Sequence, residues 1–105
     1  DNGILSIGID SNQNYLHPGK VLTSMLKRVD NAVYDAFMAG ADLETGLNVM
    51  GVGNGGVGYA LDENNASLVS AEMQAAVDQA AADISSGALS VHDYMSDESC
   101  DALSF

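Results

Sequence analysis

Positive charge is what this chain has least of: three Lys and Arg stand against 15 Asp and Glu in 105 residues, giving a net charge of −12. No basic stripe can form from so few cations, and the overall field repels phosphate backbones, so nucleic acid is excluded as a partner. Cysteine is confined to Cys100, which rules out a disulfide within the chain and says little about compartment. No apolar run approaches the roughly 20 residues of a membrane span, and no basic segment followed by an apolar one opens the chain. His17 and His92 are isolated and have no cysteine at ligand spacing, which argues against zinc. The acidic run Asp97-Glu98-Ser99-Cys100-Asp101 lacks the ligand spacing and central glycine of a calcium loop. No metal or other cofactor is expected.

What is present describes a folded chain. Hydrophobic residues make up 47% against 17% charged, without low-complexity tracts, so a globular unit of at most one domain is expected. The chain opens on Asp1-Asn2-Gly3, without a methionine, and enters the apolar run Ile4 to Ile9 at once, which reads as a cut beginning. Bounded by Asn-Gly and Asp-Ser-Asn, that run has the composition of a strand covered on both faces. Residues 10 to 20, with the only proline, Pro18, beside Gly19, read as a loop, and residues 20 to 24 as a brief second strand.

Helical spacing of Val29, Ala32, Val33, Ala36 and Phe37 predicts a helix from Arg28 to about Ala39, stopped by Gly40, with one face in the core. Two short strand-like pieces flank Gly51 to Gly58, where Asn54-Gly55-Gly56 signals a hairpin or tight connection. A further helix runs from about Ser70, a fitting N-cap, to Ser86, with Gly87 at its end. A short strand between Ala88 and Tyr94 and an acidic tail from Met95 to Phe105 complete the reading.

Few residues point to chemistry. The glycine run contains a G-x-G, but a strand-like Val57 to Leu61 follows it instead of a helix, so a turn is favoured over a phosphate loop. Ser24 and Lys27 lie three residues apart without any sign of an oxyanion hole, and no nucleophile with an orienting partner is visible, so an enzyme is not expected. Asp10 stands out by position. A carboxylate at the end of a covered strand can accept hydrogen bonds from the paired hydroxyls of a sugar, and ligands of open α/β sheets collect at that end; the same residue can equally be a turn-forming Asp. Lys27 reads either as an ordinary surface lysine or as the positive charge that such a carboxylate would favour nearby.

The strings Ile7-Gly8-Ile9-Asp10-Ser11-Asn12-Gln13-Asn14-Tyr15-Leu16 and Pro18-Gly19-Lys20-Val21-Leu22-Thr23-Ser24-Met25-Leu26-Lys27-Arg28-Val29-Asp30, followed by Ala32-Val33-Tyr34-Asp35-Ala36, resemble the C-terminal part of the basic membrane protein family. Gly55 to Asp62 and Val91 to Met95 resemble its later segments, so the likeness covers nearly the whole chain. Members are extracytoplasmic substrate-binding lipoproteins of ABC importers, many specific for purine nucleosides.

The resemblance implies a fragment of a type I periplasmic-binding-protein fold, whose two α/β lobes close about a hinge. On that basis residues 1–94 are the binding-domain portion, with 1–10 and about 46–94 in the C-terminal lobe and about 20–40 in the N-terminal lobe, and 95–105 form the acidic tail. It further implies that Asp10 holds ribose hydroxyls and Lys27 contacts the sugar, with Lys20 the nearby alternative. The implied partners are a nucleoside, an ABC permease, and a missing N-terminal part or companion chain. The implied location is periplasmic or extracytoplasmic, anchored through an N-terminal lipid of the parent protein. A non-transport regulatory or interaction protein of the same fold is the competing expectation.

Overall fold

The computed structural model describes residues 2–99. These form a small mixed α/β unit built on a three-stranded sheet of order β1-β2-β3. Strand β1 (Ser6–Gly8) runs parallel to β2 (Val21–Lys27), pairing Ser6 with Val21, Ile7 with Thr23 and Gly8 with Ser24. Strand β3 (Val57–Tyr59) runs antiparallel to β2, with Lys27 opposite Val57 and Met25 opposite Tyr59. The segments expected in different lobes therefore share one sheet through β2.

Helix α1 (Val29–Ala39) follows β2 directly and ends at Gly40, whose φ of 52° suits a residue without a Cβ. Helix α2 (Ala71–Ser86) starts at Ser70, whose hydroxyl accepts from the Met73 N–H at 3.2 Å, and stops at Gly87 in the left-handed conformation. A single turn, α3 (Tyr94–Asp97), comes last. Three-residue 3-10 turns at Asn14–Leu16 and Gly40–Asp42 fill the connections.

Several sequence expectations need correction. The second strand is longer than 20 to 24, because β2 continues to Lys27 as long as β3 supplies backbone partners on its far side. The strand-like piece expected directly before the glycine run, around Leu47 and Val49, is not a strand. That turn closes on itself instead, with the Gly56 and Val57 amides both donating to the Gly51 carbonyl, so only β3 after it joins the sheet. Residues 88–93 contain no strand, and Met95 to Asp97 belong to α3, which Asp93 caps by accepting from the Met95 N–H. The rest of the expected tail, from Cys100 onward, lies outside the described residues.

The largest departure concerns the core. Among the described residues the buried apolar side chains are Val21 and Ala60. Ile7, expected to be covered on a two-sided strand, is 62% exposed, and the expected core face of α1 is open, with Phe37 at 81%. The helical period is present but nothing among the described residues lies over it. The chain is correspondingly extended, with a radius of gyration of 16.6 Å, where a compact chain of about 100 residues has about 13 Å. Between β3 and α2 an open apolar cleft of about 460 Å³ runs past Val57, Tyr59, Val77, Ala81 and Ile84. The Tyr59 hydroxyl crosses to α2 and donates to Asp78 at 2.9 Å.

Candidate functional site

The ends of β1 and β2 bring Asp10 and Lys27 together. Parallel pairing sets the two strands to finish on the same side of the sheet, and each then delivers one charge there. Lys27 Nζ lies 2.8 Å from Asp10 Oδ1, and the Lys27 N–H donates to the Asp10 carbonyl at 2.9 Å, so backbone and side chain both bridge the pair. The side chains are 60% and 63% exposed, open to a ligand. Lys20 precedes β2 and so stands at the opposite end of the strand, roughly 20 Å away by strand geometry. Geometry therefore pairs Lys27, not Lys20, with Asp10.

Asp10 sits at φ 75°, in the left-handed region that non-glycine residues seldom enter. Asp tolerates it better than most residues, yet it remains a conformation that persists only where the surroundings enforce it. The enforcing structure is a cluster of polar side chains behind the loop that follows Asp10.

That cluster is where the chain buries most completely. Asn14, Ser24 and Asn65 have no exposed surface. The Ser24 hydroxyl donates to Asn14 Oδ1 at 2.9 Å and accepts from the Gln13 N–H at 3.0 Å. Asn65 Nδ2 donates to the Leu22 and Ala60 carbonyls at 2.8 and 3.0 Å, while its Oδ1 accepts from the Asp62 N–H at 2.8 Å. Gln13 Nε2 reaches back to the Ile9 carbonyl at 2.7 Å, immediately before Asp10. No buried side-chain nitrogen or oxygen among the described residues lacks a partner. Such full satisfaction is what makes a buried polar cluster rigid instead of destabilising. Gly8 is required beside it, since a Cβ there would stand 2.6 Å from Ser24 Oγ and 3.0 Å from Gln13 Cβ.

Asp62 anchors the cluster from the far side. Its Oδ2 accepts from Asn12 Nδ2 at 2.7 Å and Asn14 Nδ2 at 3.0 Å; its Oδ1 accepts from the Asn64 N–H at 2.8 Å and Asn64 Nδ2 at 3.0 Å. Hydrogen bonds from Asn12 and then from Asn64 and Asn14 hold its carboxyl below the usual carboxylate range. Next to the site, at the start of α1, Arg28 grips Asp30 through Nε and Nη2, at 2.9 and 2.7 Å. That hydrogen-bonded guanidinium lowers the Asp30 pKa to about 2.

Sequence reasoning singled out Asp10 and Lys27 and missed Asn12, Asn14, Ser24, Asp62 and Asn65 as a unit. The signal was present as two amide-rich runs, Asn12-Gln13-Asn14 and Asp62-Glu63-Asn64-Asn65, about 50 positions apart in the numbering. No protein-family model matches this chain, and no curated protein matches it in sequence.

Proposed function

We propose that this chain forms one side of the nucleoside site of an extracytoplasmic solute-binding protein serving an ABC importer. One observation carries the reading: the Asp10 and Lys27 pair, exposed at the end of two parallel strands, with Asp10 held in a strained conformation. The carboxylate has acceptor capacity beyond its contact with Lys27 and takes up the two ribose hydroxyls, while Lys27 donates to the sugar. The resemblance of the surrounding strings to the basic membrane protein family supplies the solute class and the finer fold, a fragment of a type I periplasmic-binding-protein architecture. It also supplies the extracytoplasmic location and the lipid anchor of the parent protein.

The bare apolar surfaces of β1 and α1 support a companion region, either more of the same protein or a second chain, that covers them and completes the site from the other side. The chain is not an enzyme in this reading.

Isothermal titration of the native full-length protein with adenosine, guanosine and inosine tests the proposal. Binding of at least one nucleoside is expected, weakened roughly tenfold or more by Asp10→Ala, because a charge-assisted hydrogen bond is lost. Absence of binding, or unchanged affinity in the variant, overturns it.

The open face of α1 also favours a second reading, a regulatory or interaction protein of the same fold. Failure of the native protein to associate with a permease, together with capture of a soluble partner through that face, would put this reading first.

A further inference from the structure

We infer that Asp62, remote in sequence from the strand-end pair, is the positioning residue that sets the Asp10 and Lys27 geometry. This deepens the nucleoside reading and rests on it for the ligand, though not for the geometry. The loop that begins at Asp10 is tied down at Asn12 and Asn14, and both of those side-chain amides end on Asp62 Oδ2. From Asn14 the connection continues through the Ser24 hydroxyl to the Gln13 backbone, and from the Gln13 side chain to the Ile9 carbonyl. Asp10 therefore opens a loop whose Asn12 and Asn14 amides converge on one carboxylate, and Lys27 meets it at the end of the strand that carries Ser24.

The chemistry at position 62 demands a carboxylate. Four N–H groups point at it, two on each oxygen, and an ionised carboxylate is an acceptor only. An asparagine of the same shape has one accepting oxygen and a donating NH2. In either orientation that NH2 would face two other donors, leaving either the Asn12 and Asn14 amides or the two Asn64 groups without an acceptor. The asparagines of the two runs thus act as spacers that transmit one acceptor's position to the strand end. No Asp62 atom needs to touch the ligand.

Asp62→Asn is the isosteric test, read by amide hydrogen exchange on the full chain. The Lys27 amide is the reporter, because its N–H donates to the Asp10 carbonyl. The Gln74 and Gly87 amides at the two ends of α2, which donate to the Ser70 and Ile84 carbonyls, are the reference. Exchange at Lys27 is expected to quicken roughly tenfold or more in the variant while the reference amides keep their rates. The three-bond HN–Hα coupling of Asp10 is expected to move away from its left-handed value at the same time.

Unchanged exchange at Lys27 overturns the inference, and so does an equal acceleration at Lys27 and in α2, which marks a merely structural residue. Should Asp62→Asn fail to fold, Asn12→Ala removes one donor from the exposed side of the same carboxylate, and a selective change of several-fold at Lys27 is expected there. Nucleoside titration of the same wild-type sample is scored separately: no binding ends the nucleoside reading, while the exchange data alone decide the role of Asp62.

Discussion

The chain holds two kinds of surface in opposite condition. Asn14, Ser24 and Asn65 are buried and fully hydrogen-bonded, whereas the large apolar residues of β1 and α1, expected in a core, stand in solvent. Globular chains ordinarily show the reverse, since apolar burial is the dominant favourable term in folding. The difference separates what this chain organises by hydrogen bonding from the apolar surface that stands open among the described residues. Hydrogen bonds are directional, so a polar cluster can fix a loop to a few tenths of an ångström using only local partners. An apolar face is non-directional and waits for area. The part built by direction is the part that holds the strand-end charges.

The strongest way to break that comparison is at Asn65. Asn65→Leu keeps the branched shape but removes the side-chain donor to the Leu22 carbonyl and the acceptor of the Asp62 N–H, and takes one of two side-chain donors from the Ala60 carbonyl, which keeps the Thr23 hydroxyl. Buried groups left without partners cost about 1–3 kcal/mol each, so a loss of about 2 kcal/mol or more is expected in urea denaturation. A loss below about 1 kcal/mol would mean that the cluster is not what holds the sheet to the loop at residues 60–65.

Acid should loosen the same cluster by a smaller amount. Asp62 has its carboxyl lowered in the folded chain, so its contribution is fully present above the unfolded carboxylate value near 4 and is lost as pH falls through the depressed folded value. Carbon-detected NMR of the Asp62 carboxyl, followed together with the Asn12 and Asn14 side-chain NH2 signals, is expected to show all three moving in one step on the acid side. Amide signals that stay constant through the Asp62 titration would disconnect them from it. Asp30, held to about 2 by Arg28 and bonded to none of the cluster's side chains, serves as an internal reference.

How far the sequence revealed this follows the same division. Helix α2 is legible because its signals are local: Ser70 before the period and Gly87 after it. Strand β1 and the turn at Asn54-Gly55-Gly56 are legible for the same reason. Asp10 and Lys27 could be picked out individually from strand ends, but their 2.8 Å contact depends on parallel register, which no local pattern encodes. The extension of β2 to Lys27 depends on β3, some 30 positions later. The cluster around Asp62 was hidden because asparagines in loops read as turn formers, and only the fold brings the two amide-rich runs into contact. The empty core was misread for the opposite reason: Val29, Val33 and Phe37 repeat at helical spacing whether or not anything covers them.

On the apolar side the expected effect is close to nothing. Phe37→Ser replaces a side chain that is 81% exposed with one of similar helix propensity, so stability of the chain alone should stay within about 0.5 kcal/mol. Sedimentation should at the same time show weaker self-association or weaker capture of a companion, because the face has lost its largest apolar group. A marked drop in thermal midpoint without any change in association would show that Phe37 is already covered within the chain, and the contrast between the two surfaces would fail.

The smallest change in stability is expected at the residue of greatest functional interest. Asp10→Gly removes an ion pair between side chains that are 60% and 63% exposed, worth about 0–1 kcal/mol. It also relieves the left-handed conformation at φ 75°, which glycine adopts without a Cβ penalty of about 1 kcal/mol. The two effects oppose each other, so denaturation midpoints of wild type and variant should nearly coincide. Asp10→Leu loses the same ion pair but keeps a Cβ in the disfavoured region, and should fall below Asp10→Gly. If Asp10→Gly proved strongly destabilising, the carboxylate would be a structural member of the polar cluster. Near-coincidence, with loss of nucleoside affinity, would mean that a strained acid stands at the strand end where a glycine would serve the fold equally well. Its presence there would then be explained by the ligand, not by the sheet.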